Sequence, residues 1–222
     1  MFFYEGCKIV GQMNPGLIED ARKFACSINY KEPRFSRPEP ALKLTNYLIS
    51  IPLPIGAPTV GSQFGPAWEQ DVSDLDLTPI KNILDELMKM PTFNGMELFA
   101  CEVSYIDPKS SLKEHTDVRF YHLCGRRIQI PLLVDDAYFV SRRRDFKLET
   151  PMVYEIDNIT PHLARNDGST PKISLLIDVM DNKMMDEERQ LKRFPRRRVL
   201  YFNSNPEYDY YGRGPTKHKI PE

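Results

Sequence analysis

Four side chains between residues 113 and 179 have types and spacings that chemistry can explain: His115, Asp117, His162 and Lys172. An imidazole and a carboxylate two apart on an extended segment point the same way, because strand side chains repeat every two residues. A second imidazole arriving from a distant strand completes two nitrogens and one oxygen on one face of a metal ion. That set leaves three coordination positions open and matches the facial triad of non-haem Fe(II) oxygenase chemistry. His115, Asp117 and His162 are therefore the candidate metal ligands and the candidate catalytic residues. Each alone is weak, but the chain holds only four histidines, His115, His122, His162 and His218, and two of them fall next to strand and turn signals.

Lys172 opens the apolar run KISLLIDVM, where a lone ammonium costs several kcal/mol unless it is paired. It either meets the distal carboxylate of an acidic cosubstrate, 2-oxoglutarate, whose keto-acid end occupies open metal positions, or it stands exposed at the strand start. Ser174, two residues on, shares its face and either donates a hydroxyl to the same ligand or fills space. In RRIQIPLL, Arg127 and Gln129 alternate with Ile128 and Ile130. If the isoleucines pack under helices, Arg127 and Gln129 point inward beside the metal, where Arg127 is able to grip a carboxylate bidentately. The other reading is a solvated strand face. Asn158 sits in a turn before His162 and fixes its approach, or is an ordinary turn asparagine.

The elements that must position these groups follow from periodicity. Residues 1–12 read as a strand and 15–28 as an amphipathic helix with Leu17, Ala21, Phe24, Ala25 and Ile28 on one stripe. The run 42–54 is apolar and β-branched. Residues 55–74, with Trp68, read as a long loop and a candidate lid. Residues 75–90 read as a second helix, with Thr78 as N-cap and Pro79 at the first helical position. From Met96 the period becomes that of strands: 96–106, the His115/Asp117 segment, 126–134, 137–141, 151–156, 161–166 and 172–180, with 107–111 and the RRRD run 142–145 as turns. RRRD is a second candidate lid. Short strands at this pitch, with 19 prolines and 11 glycines, indicate a mainly β chain with flanking helices: a double-stranded β-helix, the cupin-like jelly roll. Residues 181–194 read as a helix, and the remainder as a basic, aromatic tail.

The length of 222 residues is that of one domain: a core over 96–181, an N-terminal α/β extension over 1–95 and a C-terminal helix and tail over 182–222. A net charge of −1 gives no global field toward nucleic acid or acidic membranes. The four cysteines form no CxxC pair, which argues against zinc and for a reduced, cytosolic protein. No apolar run reaches the roughly 18 residues of a membrane span.

The pattern HTD, RRIQIPLL and YEIDNITPHLARNDGSTPKISLLIDV resembles the aspartyl/asparaginyl β-hydroxylase family of 2-oxoglutarate oxygenases over roughly residues 96–181. The resemblance implies a double-stranded β-helix, Fe(II), 2-oxoglutarate and O2, with succinate and CO2 as co-products. It implies His115 and His162 as metal histidines and Asp117 as the carboxylate, which animal members lack. Lys172 stands where the family usually has arginine and resembles the prolyl hydroxylase arrangement. Gln129 stands where the family often has histidine. The resemblance also implies a protein or peptide side chain as substrate. The basic clusters at 142–144 and 189–198 and the aromatic tail leave an acidic peptide or RNA as partners, or plain solvated faces. Two other classes are a cupin-like metal-binding or sensor protein without turnover, and a structural jelly-roll module.

Overall fold

The computed structural model describes residues 6–32, 46–51, 53, 72–117 and 125–181. The expected lid over 55–74 therefore falls almost wholly outside the described residues. So do the helix expected over 181–194 and the basic, aromatic tail.

Among the described residues, ten strands and two α-helices occur in the order β1 (Cys7–Gln12), α1 (Pro15–Ser27), β2 (Asn46–Ile51), α2 (Thr78–Lys89), β3 (Met96–Ile106), β4 (Ser110–Ser111), β5 (Arg126–Leu133), β6 (Ala137–Ser141), β7 (Arg144–Lys147), β8 (Met152–Ile156), β9 (His162–Asn166) and β10 (Lys172–Asp181). They form a six-stranded sheet, β1-β8-β5-β10-β3-β2, and a four-stranded sheet, β4-β9-β6-β7. All pairings are antiparallel. The two sheets face each other as a jelly roll.

The alternation along β5 and β10 decides what lies inside. Ile128, Ile130 and Leu132, with Ile173, Leu175, Ile177 and Val179, point away from the small sheet and pack on Ile18, Ala21 and Ala25 of α1 and Ile80, Ile83, Leu84 and Leu87 of α2. Burying each such aliphatic side chain contributes about 1.5–3 kcal/mol, so this outer layer carries most of the stability. The opposite parity, Arg127, Gln129, Lys172, Ser174 and Asp178, is polar yet buried and faces the four-stranded sheet. A small apolar cluster of Cys7, Phe139, Leu148, Tyr154 and Ile156 joins the two sheets. The helices thus cover the large sheet from outside, and the space between the sheets is shared by this small apolar cluster and the buried polar groups of β5 and β10.

Four local expectations change. The second helix starts at Thr78, with no side-chain cap of its own; instead the Asp76 carboxylate accepts from the Thr78 amide at 3.0 Å. Asp76 satisfies the free amide at the helix start, so the capping group lies two residues earlier in the chain. Part of the turn at 107–111 is the short strand β4, paired with β9. The His115/Asp117 segment forms no ladder; a single bridge joins His115 to His162. The RRRD run is not a four-residue connection. Ser141 pairs with Arg144, so β6 and β7 are joined by Arg142 and Arg143 alone, both with positive φ, 54° and 63°. A two-residue hairpin loop is too short and too tightly held to swing as a lid. Left-handed backbone at non-glycine residues costs about 1–2 kcal/mol each.

Candidate metal centre

His162 opens β9 and His115 lies opposite it. The His115 amide donates to the His162 carbonyl at 2.9 Å and the His162 amide to the His115 carbonyl at 2.8 Å. This reciprocal pair sets the rings side by side, centroids 4.5 Å apart. Two residues on, the Asp117 amide donates to the Asn158 carbonyl at 2.8 Å, which fixes the carboxylate beside them. One ligand atom from each of His115, Asp117 and His162 lies within 4.8 Å of the others. Nε2 of His115 is 3.8 Å from Asp117 Oδ1, and Nε2 of His162 is 4.0 Å from Asp117 Oδ2.

Both Nδ1 atoms are already engaged. His115 Nδ1 meets the Lys113 carbonyl at 2.8 Å and His162 Nδ1 meets the Thr160 carbonyl at 2.9 Å. A carbonyl only accepts, so each Nδ1 carries the proton and each Nε2 presents a lone pair toward the other two ligands. Burial holds the His162 imidazole below its usual range, against the pull of Asp117, and a neutral imidazole is the ligand form. Two neutral nitrogens and one carboxylate converging from one side fit Fe(II) and leave the opposite side open.

The carboxylate is held by groups beyond the histidines. Asp117 Oδ2 accepts from Arg127 Nη1 at 2.8 Å and from Asn158 Nδ2 at 3.1 Å. Arg127 is fixed in turn by Asp178, through Nε to Oδ1 at 2.9 Å and Nη2 to Oδ2 at 2.8 Å, with Glu102 at 3.6 Å. Burial alone would drag the guanidinium down, but these carboxylates hold it well above its usual range. Burial pushes the Asp178 carboxyl up; with both its oxygens accepting from the Arg127 fork, the pair is ionised. Arg127 does point into the barrel, but its donors are directed at Asp178 and Asp117.

Gln129 and Ser174 also face inward, and Gln129 Nε2 donates to Ser174 Oγ at 3.2 Å. Ser104, directly opposite Ser174 on β3, adds a second buried hydroxyl. Lys172 is 1% exposed, and burial lowers its ammonium to about 8. No acidic group among the described residues pairs with it.

The structure thus brings His115, Asp117 and His162 together, and it buries Arg127, Gln129, Ser174 and Lys172 on one inward face. Asp178 was given no role in the sequence. Its signal was parity: a carboxylate in an apolar strand, six residues from Lys172 and so on the same face. Asn166 was also missed; it is fully buried, and its Nδ2 donates to the carbonyls of Ile106, Asp107 and Thr170, which ties the end of β9 to that of β3.

No family model matches the chain, and no curated protein does. Solved structures do. A non-heme alpha ketoglutarate dependent epimerase, SnoN, from nogalamycin biosynthesis superposes with a TM-score of 0.55 at 12% identity, over 79% of this chain and 78% of that one. A 2OG-Fe(II) oxygenase family oxidoreductase from Burkholderia pseudomallei (TM-score 0.49, 12% identity, 81% and 86% covered) and a Pseudomonas putida prolyl-4-hydroxylase (0.47, 14%, 81% and 94%) are looser likenesses. At 12% identity the likeness to SnoN is one of fold, the jelly roll.

Proposed function

We propose that the chain is an Fe(II)- and 2-oxoglutarate-dependent dioxygenase that hydroxylates a protein or peptide side chain. The observation that carries this reading is Lys172: a fully buried ammonium, without an acidic partner among the described residues, on the strand face that also presents Asp178, and through Arg127 the carboxylate Asp117. A buried cation of that kind is costly unless a ligand supplies its counter-charge.

His115, Asp117 and His162 would hold the metal. Arg127 and Asn158 donate to Asp117 Oδ2, which would hold the carboxylate in place beside the two Nε2 atoms. With Fe(II), 2-oxoglutarate and O2 present, the chemistry supplied is oxidation of an unactivated C–H bond, coupled to release of succinate and CO2. The protein's part is placement. Lys172 pairs with Ile106, whose carbonyl accepts from Asn166, so Lys172 lies level with the far end of β9. His162 begins that strand four residues earlier, about 13 Å along it. Lys172 would hold the distal carboxylate of 2-oxoglutarate at that end. Ser174 and Gln129 line the space between, and Leu176, also of inward parity, is only partly buried. The HTD, EIDN and NDG elements support an aspartyl/asparaginyl β-hydroxylase-like member of the class.

The test is succinate release from 2-oxoglutarate by the purified chain with Fe(II), compared with His162→Ala. Succinate from the wild type and none from the variant is the expected result. Stoichiometric metal binding without any succinate would instead indicate a metal-binding module.

A further inference from the structure

The hairpin loop of β6 and β7 is made of residues its backbone does not favour. In a two-residue loop with both φ values positive, Asn-Gly or Gly-Gly are the dipeptides that fit without strain. Here Arg142 and Arg143 hold φ of 54° and 63°, and Arg144 follows. Packing does not explain them either: Arg142, Arg143 and Arg144 are all exposed, and neither Arg143 nor Arg144 makes an ion pair among the described residues.

Their position is specific. Ser141 pairs with Arg144 on one side and with His162 on the other. The loop therefore stands next to the metal histidine, at the mouth of the barrel. Arg142 anchors it, with Nη2 donating to Asp157 Oδ2 at 3.2 Å, on the segment that leads into His162. Arg144 lies opposite Ser141, whose side chain is buried, so it shares the parity of Ser141 while its own side chain stays exposed at the strand start. Three guanidinium groups are thus held on a rigid turn beside the site, against an overall charge of only −1.

We infer that the Arg142–Arg144 hairpin is the docking surface for an acidic peptide segment that flanks the side chain entering the metal site. The peptide's role as substrate rests on the hydroxylase reading above; its binding does not. Guanidinium forks match carboxylates bidentately. Single-stranded nucleic acid would also need aromatic faces for its bases, which the Arg142–Arg144 turn itself does not supply.

The test is fluorescence anisotropy on the full Mn(II)-loaded chain with three labelled probes: a glutamate-rich peptide, a lysine-rich peptide of equal length, and single-stranded RNA. The wild type should bind the glutamate-rich peptide, more weakly as salt rises. Arg143→Glu/Arg144→Glu should lower that affinity at least tenfold and make the lysine-rich peptide the better ligand. Arg143→Gly should lower it severalfold while raising the melting temperature, because glycine relieves the positive φ; the loss is then not unfolding. Unchanged peptide affinity in the double variant, or no binding of the peptide by the wild type, would overturn the assignment. Tighter binding of RNA through the same arginines would overturn it in favour of nucleic acid. Titration of the wild type with 2-oxoglutarate separates the two readings. Peptide binding without cosubstrate binding keeps this surface and removes the hydroxylase; the reverse outcome keeps the hydroxylase and removes this surface.

Discussion

Replacing Lys172 with methionine keeps most of the apolar stem and removes the charge. The ammonium falls from an ordinary 10.5 to about 8 because burial penalises its charged form. At about 1.4 kcal/mol per pH unit, that is a penalty of about 3 kcal/mol carried by the folded protein at neutral pH. The sign follows from proton counting. Between pH 8 and 10.5 the unfolded chain holds more protons at this lysine than the folded one, so wild-type stability rises with pH across that window. Below pH 8 the penalty is complete. Lys172→Met should therefore be more stable than the metal-free wild type by about 3 kcal/mol at pH 7, with the difference shrinking toward zero near pH 10.5. Urea denaturation at pH 7 and at two alkaline values reads this directly. With Mn(II) and 2-oxoglutarate at about 100 times its dissociation constant, the wild type should regain about 2.7 kcal/mol, and the variant should gain almost nothing from the diacid. A variant less stable than wild type at pH 7, or a difference that ignores pH, would show that Lys172 is already paired in the resting protein and would refute the reasoning.

Other substitutions address the rest of the centre. His162→Ala should abolish stoichiometric Mn(II) binding in calorimetry while leaving the sheet intact by circular dichroism, since the ring sits at the start of β9 and not in the large core. Arg127→Lys keeps the charge but not the fork, so Asp117 loses its fixed orientation and metal affinity should fall about 10–100-fold. Asn166→Leu leaves the carbonyls of Ile106, Asp107 and Thr170 without their donor, that of Ile106 in a buried position, and should cost about 1–3 kcal/mol in chemical denaturation.

Much of the fold was legible because burial on one side leaves a period in the sequence. Strand β3 covers the expected 96–106, and α1 and α2 lie within one to three residues of the expected 15–28 and 75–90. The same period put Arg127 with Gln129 and Lys172 with Ser174 on shared faces, while inward or solvated stayed open until the structure showed all four buried. What parity cannot give is partner choice. Arg127 was open to a ligand carboxylate or to solvent in the sequence, and the structure turns it to Asp178, 51 residues away. That pairing depends on β5 and β10 being neighbours, which follows from tertiary arrangement and not from local pattern. Strand β7 was missed because Arg144 and Asp145 look like turn residues. They pair with β6 as an exposed edge, where side-chain apolarity is not required. The helix cap was missed for a similar reason: a proline at the helix start draws attention to Thr78, while Asp76, just outside, makes the bond.

The most direct test of the shared metal and diacid pocket is calorimetric titration of the Mn(II)-loaded chain with 2-oxoglutarate and, in parallel, with glutarate, which has both carboxylates but no keto group to help chelate a metal. The expected result is one 2-oxoglutarate per chain, bound only when the metal is present, with glutarate much weaker. Equal binding of the two diacids, or binding that persists without metal, would contradict it.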